Sequence, residues 1–464
     1  MNKLLKKPKL KITKSHNRYG KFDLSENPFP SEPTVNRESS DPRINGNIFE
    51  GKIRQKEYEK IRDNFLMISQ SDLNHYRLGY IIDSSYIGRG NGKSAFLGYL
   101  QHLINSEFCL DISKEKNKCF AVSIYPEPGG RTKSFQSFID SIFFSICNTG
   151  IIDICLATQR LEAIQNIYPN FEIKDKDNEL LIKELNSDEW LKWEGLDFNK
   201  LRNYILESDY LQGFPSDFPL FKNRRMLFEN WPSLSDFKQY YFDLKKTTDK
   251  LTFIFTHLVN FFQSANFNGG YILVDDFERI PDFQSTRQKK DFALELRSVL
   301  FDGFYESAKL GFFNCILVLH AGVPRLIAEA WLESGLEQRS PIGSHSDTAH
   351  IIPFEKLTKE NALLLLGCYL AKFRLKSQAE SVTYPFDEKS ILKIAEYSEF
   401  NAAKILRMAY YILEKAASQE GLTKIDEKFI IENRADPMIS GRESTSSIED
   451  LDSIDLKKKA KIKE

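Results

Sequence analysis

The stretch Ile81–Gln101, IIDSSYIGRGNGKSAFLGYLQ, leaves this chain few ways to fold. An apolar strand runs into a loop of alternating glycines and leaves it as an amphipathic helix, which makes it the first βα unit of a sheet whose strands are buried on both faces. Gly88, Gly90 and Gly92 let the backbone turn its N–H groups inward, where side chains would block a polyphosphate. The helix beginning near Lys93 adds the positive end of its dipole. Lys93 then supplies a point charge for terminal phosphates, and Ser94 a hydroxyl for a divalent cation. One position departs from the form G-x-x-x-x-G-K-[ST]: Ile87 stands where the first glycine belongs, and Gly88 follows it. The core GNGKS is intact, so Gly88, Arg89, Gly90, Asn91, Gly92, Lys93, Ser94 and Ala95 read as a phosphate-binding loop with a shifted turn; a glycine-rich turn capping an ordinary helix is the alternative.

The alternation of strand and helix continues downstream. Cys119–Tyr125 (CFAVSIY) reads as a second buried strand, PEPGGR as a turn, and Thr132–Cys147 as a helix with Phe135, Phe138, Ile142, Phe143 and Ile146 on its apolar side. Between about 150 and 247 the alternation stops, and a mostly helical insertion is expected, with Trp190, Trp193 and Trp231 either in its own core or on a partner-docking surface. Strand order resumes at YILVDDFERI. An apolar strand that delivers a carboxylate beside a phosphate loop suits Mg²⁺, which keeps its waters and is steadied by a nearby acid; Asp275 is that acid. Asp276 is placed to polarise an attacking water, with Glu278 as second candidate. The two signatures together call for ATP with Mg²⁺, the ion taking Ser94 and Asp275. No D-x-x-G follows the second strand and no N-K-x-D guanine motif is present, which disfavours GTP.

Cys315–His320 (CILVLH) is the next buried strand, with His320 at its end, and Arg339 follows in GLEQRSP. Ile351–Phe354 is the last candidate strand. A helix over Phe49–Asn74 is expected to precede the first strand and to pack beside the nucleotide pocket. From Thr358 the pattern is purely helical, with a second helix over Asp387–Tyr397 and a third over Asn401–Ala417. The organisation read from this is a basic, mostly disordered arm over 1–45, an α/β domain over 46–357, a helical lid over 358–433 and a disordered charged tail over 434–464.

Charge excludes little: 64 Lys and Arg balance 65 Asp and Glu, so contact with nucleic acid has to come from a local patch such as Lys3, Lys6, Lys7, Lys9, Lys11 and Lys14. The six cysteines form no C-x-x-C pair and sit in apolar contexts, as small buried hydrophobes do in a reducing compartment. Apolar runs such as Leu251–Phe262 are too short to span a bilayer, and the N-terminus lacks the apolar core of a signal peptide; a soluble, cytoplasmic protein is expected.

The order of phosphate loop, apolar strand with DD, third strand, arginine loop and helical lid resembles the AAA+ ATPases and the related STAND and KAP-type P-loop proteins. YILVDDFERI looks like the "DD-x-(D/E)-R" form of the KAP and STAND branch. FEKLTKENALLLLGCYL followed by EFNAAKILRMAYYILEKA is similar to the lid of the origin-recognition and transposon-ATPase clade. The resemblance implies an α/β P-loop fold with a parallel sheet, in which the strand leading to His320 lies between the two signature strands and His320 faces the γ-phosphate. It implies that Arg339 reaches the γ-phosphate of a neighbouring subunit, and that a lid arginine senses that phosphate. Asn401, Ala402, Ala403 and Lys404 replace the Asn-Pro-Arg of that lid helix, so Lys404 or Arg407 stands in for the sensor. Two functions are expected. The first is an ATP-hydrolysing homo-oligomeric switch in a DNA-transaction, mobile-element or anti-phage defence complex, with sequence-independent DNA contact. The second is an ATP-binding scaffold with little hydrolysis that recruits a protein partner through the insertion.

Overall fold

The computed structural model describes residues 17–37, 39–66, 76–83, 90–109, 118–172, 177–207, 233–342, 349–376 and 381–434. Lys3 to Lys14, Gly88, Arg89, Trp231 and the charged tail from residue 435 lie outside them. The described residues divide into two compact units, one over residues 54–355 and one over residues 17–53 with 356–434.

In the first unit, β1 (Leu78–Asp83), β2 (Lys118–Ile124), β3 (Phe267–Val274), β4 (Phe313–Leu319) and β5 (Ile351–Phe354) form one sheet in the order β2-β3-β4-β1-β5. All neighbouring strands run parallel. A parallel sheet is covered on both faces, which is why β4, FNCILVL, is buried at every position. β4 lies between β1 and β3, with Leu319 opposite Ile82 and Leu317 opposite Val274. The strand leading to His320 therefore comes between the two signature strands, and Asp83, His320 and Asp275 emerge at one edge of the sheet.

Helix α1 (Gln55–Asn64) ends before the Asn74 that the periodicity reaches. Helix α2 (Lys93–Ile104) continues as a π turn over Asn105–Cys109. Helix α3 (Phe135–Asn148) starts at Ser134, whose side chain accepts the Ser137 N–H, and Gly150 in the left-handed region turns the chain into α4 (Ile151–Ile167). Among the described residues no single helix is long and apolar enough to cross a membrane; α3 and α4 pass that test only as a pair bent by 51°. Most of their apolar residues, Phe138, Ile142, Cys155 and Leu161 among them, are buried in the core that covers the sheet, while Phe144 is exposed.

The described residues of the insertion include the helices Asn178–Leu185, Asp188–Trp193, Phe198–Glu207 and Leu234–Asp243. They have no separate core. Leu185, Leu191, Leu201 and Phe237 belong to the same buried cluster as Phe120 and Val122 of β2. Trp190 packs against that cluster, whereas Trp193 is 79% exposed. Two helices that no motif marks, Thr286–Leu300 and Val323–Ser334, flank β4 in the chain; the first opens with a capping box between Ser285 and Gln288.

Much of the phenylalanine content converges where β2, β3 and β4 meet. The Phe120 ring lies 5.1 Å from Phe262, 5.7 Å from Phe267 and 6.2 Å from Phe313. Gly270 is the space these rings use: a Cβ there would stand 2.7 Å from Phe313 Cε1 and 2.9 Å from Phe120 Cζ. Gly270→Ala is expected to destabilise this unit by about 1–3 kcal/mol through overpacking, seen as a lower urea midpoint at unchanged slope. An unchanged midpoint would mean the rings repack freely.

The second unit packs the helices Lys359–Lys372, Glu388–Tyr397, Ala402–Ser418 and Glu427–Asn433. Thr358, Asp387, Asn401 and Asp426 cap them, each accepting a first-turn N–H. The segment expected to be a disordered arm is, over its described part, built into this unit. Phe22, Leu24 and Phe29 are fully buried with Leu366, Leu370, Ile405 and Ile412. Ser25 N donates to Phe373 O at 3.0 Å, and Arg374 donates to Phe22 O at 3.0 Å. The polar, proline-rich composition conceals this, because a few apolar residues in extended chain have no periodicity to detect.

Candidate active site

Three of the strands that end at the shared edge supply its polar residues: Asp83 closes β1, Asp275, Asp276 and Glu278 follow β3, and His320 follows β4. At the end of β1, Asp83 is buried and accepts Asn91 Nδ2 at 3.0 Å. Lys93, itself buried, donates to the other oxygen of the same carboxylate. Gly92 (φ 88) and Gly90 (φ 109) are both in the left-handed region that glycine enters without strain, and Gly92 is the N-cap of α2. Ser94 and Ala95 lie in the first turn of that helix, both partly exposed. From below the loop, Arg54 donates to Asn91 O at 2.9 Å and to Glu355 O at 2.8 Å, pairs with Glu57 at 2.8 Å and stacks 3.8 Å over the Phe354 ring. Arg54 thus ties the loop backbone to the start of α1 and the end of β5.

After β3 come the three acids. Asp275 is buried; its N–H donates to Ile124 O at 3.0 Å, and its Oδ1 accepts the Asp276 N–H at 3.0 Å. Asp276 takes φ 43, ψ 47, a conformation uncommon outside glycine, and its Oδ2 meets Arg279 at 2.5 Å. Arg279 also donates to Pro126 O at 3.3 Å, which ties this turn to the end of β2. Glu278 is buried in the short turn Phe277–Arg279.

His320, the first residue after β4, joins the two sides. Its Nδ1 is 3.1 Å from Asp83 Oδ2 and its Nε2 is 3.0 Å from Glu278 Oε1. Burial opposes a positive imidazole, but the contacts with Asp83 and Glu278 outweigh it and hold the histidine up to about 9. Burial likewise opposes charge on Asp83, yet hydrogen bonds from His320, Lys93 and Asn91, with the lysine charge, hold its carboxyl below the usual range. The edge is therefore a linked chain of charges, Lys93, Asp83, His320 and Glu278, with Asp275 and Asp276 beside it.

Lys93, His320, Asp276 and Glu278 are thus brought together. Arg339 is not among them. It ends the short helix Leu336–Arg339, is exposed, and is followed by Ser340, whose Oγ donates to Leu78 O at 2.7 Å at the amino end of β1. It is on the opposite edge of the sheet from Asp83. Lys404 and Arg407 belong to the second unit, where Lys404 pairs with Glu399 at 3.3 Å. Three residues of the constellation carry no role in the sequence reading: Asp83, Arg54 and Arg279. Asp83 ends an apolar strand just as Asp275 does, and Arg279 is the arginine of DDFER, so both had a local signal. Arg54 had none. Searches of protein-family models, curated proteins and solved structures return no match to this chain.

Proposed function

We propose that the chain is an ATP-binding and ATP-hydrolysing oligomeric switch of the AAA+/STAND type. The observation that carries this reading is the convergence at one edge of the sheet of Lys93, which follows β1 at the start of α2, and Asp275 and Asp276, which follow β3, with β4 and His320 between β1 and β3. Crevices at the carboxyl ends of parallel strands are where open α/β sheets bind ligands. The donor set fits Mg²⁺, which takes oxygen ligands: Ser94 and Asp275 would hold it, and it would neutralise charge on the phosphates. Binding of the triphosphate requires Lys93 to exchange Asp83 for phosphate oxygen. Asp276 accepts the proton of the attacking water, with Glu278 the other candidate base.

Arg339, exposed and away from its own chain's site, is free to serve a neighbouring copy. Arg339→Ala is therefore expected to lower turnover about 10³-fold or more in assemblies and to leave the dilute chain unaffected. Equal loss in dilute and assembled protein would rule out action in trans.

A second reading is an ATP-binding scaffold with little hydrolysis. It is favoured by the pairing of Asp276 with Arg279, which occupies part of the proposed base, and by Trp193, an exposed aromatic on the insertion suited to a protein partner. ATP turnover per chain, followed against protein concentration with and without double-stranded DNA, separates the two. A rate that climbs with concentration or with DNA supports the switch in a DNA-transaction, mobile-element or anti-phage setting. A flat, near-zero rate despite ATP binding supports the scaffold.

A further inference from the structure

We propose that Asp276, Glu278 and His320 form a binding site for a divalent transition-metal ion such as Zn²⁺, distinct from the Mg²⁺ position at Ser94 and Asp275. One ligand atom from each of the three lies within 4.8 Å of the other two. The 3.0 Å between His320 Nε2 and Glu278 Oε1 fits two donors on one ion. Donors ~2.1 Å from a metal stand about 3.0 Å apart at a right angle and about 3.4 Å apart at the tetrahedral angle. Arg279 holds only Oδ2 of Asp276, leaving that carboxylate a second oxygen.

A second, independent feature points the same way. A metal-bound histidine nearly always gives its other ring nitrogen to a carboxylate or carbonyl, which fixes the ring and makes it a better ligand. His320 Nδ1 faces Asp83 at 3.1 Å, and Asp83 is in turn held by Asn91 and Lys93. The imidazole is therefore aimed by residues of the phosphate loop at a pair of carboxylates across the edge. Buried Glu278 and the imidazole favour a first-row transition ion over Mg²⁺, which prefers oxygen and retains its waters. The site stands on this geometry and not on nucleotide hydrolysis. If the hydrolysis reading holds, an ion here occupies the carboxylate of the base, so metal occupancy and turnover exclude one another.

The test uses the full chain without nucleotide. Zn²⁺ is titrated by calorimetry, and Co²⁺ is followed by its visible absorption. The expected result is one ion per chain, with affinity at least 100-fold weaker in His320→Ala and in Glu278→Gln, and about 10- to 100-fold weaker in Asp83→Asn. Ser94→Ala keeps the affinity. Glu278→Gln preserves volume, and unchanged far-ultraviolet circular dichroism shows that each variant is folded. Absence of stoichiometric binding to the wild-type chain would leave an imidazolium between two carboxylates and overturn the proposal. So would affinity lost in Ser94→Ala but kept in His320→Ala, or a thiolate-to-Co²⁺ charge-transfer band, which would place the ion on cysteine. ATP binding is measured on the same samples, so failure of the nucleotide reading is seen separately.

Discussion

Lys93→Ala is expected to weaken ATP binding by more than about 100-fold. Among the described residues of the glycine loop and the start of α2, Lys93 is the basic side chain at this edge, and charged hydrogen bonds of the kind it would make to phosphate are worth about 1.5–3 kcal/mol each. The same substitution has a second effect. It breaks a pair in which both side chains are almost fully buried, 7% and 2% exposed, and leaves Asp83 without its cation. The expected loss of stability is about 3 kcal/mol, the low end for a broken buried pair, because Asn91 and His320 still hold the carboxylate. Loss of binding could then be mistaken for loss of fold. The double variant Lys93→Ala with Asp83→Asn resolves this, since a neutral amide removes the stranded charge. It should recover most of the stability in a urea titration and none of the affinity in a calorimetric ATP titration. Affinity unchanged in the single variant would end the assignment of this edge to nucleotide. Affinity regained in the double variant would make the effect one of folding.

Why some of this site is legible in the chain and some is not follows from what each residue needs. Asp275 sits where an apolar strand meets a polar turn, and a buried parallel strand writes itself as an unbroken apolar run, so the boundary can be seen residue by residue; Lys93 is marked instead by the glycines that precede it at the start of α2. The histidine after β4 is found by the same rule. Asp83 obeys it too, yet its weight comes from being shared between Lys93, close by in the chain, and His320, which only the strand order brings to it. Arg54 is invisible for a stronger reason. Its contacts across the fold are backbone carbonyls of Asn91 and Glu355 and the face of Phe354, and a carbonyl acceptor leaves no mark in a sequence; its pair with Glu57, three residues on, looks like that of any helix start. The segment from Tyr19 to Asn45 fails differently. Phe22, Leu24 and Phe29 are core residues set among lysines, prolines and acids, and averaging over such a stretch reports a tail. Arg339 was recognisable as an exposed loop arginine, but its position on the far edge of its own sheet depends on Ser340 binding the start of β1.

Asp276→Asn is expected to reduce ATP turnover by about 10²- to 10⁴-fold while leaving ATP affinity unchanged, the size of effect that loss of a positioned general base produces. The choice of asparagine matters because Asp276 has φ 43, and asparagine is among the few residues besides glycine that enter this region readily. The backbone turn carrying Glu278 and Arg279 should therefore survive, and the amide oxygen can still accept from Arg279. What disappears is the negative charge. Glu278→Gln is the matched comparison: its carboxylate is buried and stands 3.0 Å from His320, so it is better placed to fix the histidine than to meet water. Normal hydrolysis in Asp276→Asn together with its collapse in Glu278→Gln would transfer the base to Glu278 and make Asp276 the residue that orients Arg279. Equal collapse in both, with ATP still bound, would mean that the charge of the whole edge, rather than one carboxylate, sets the rate. Asp276 is placed first because it is the more exposed of the two acids, at the mouth of the turn, where a water can reach it.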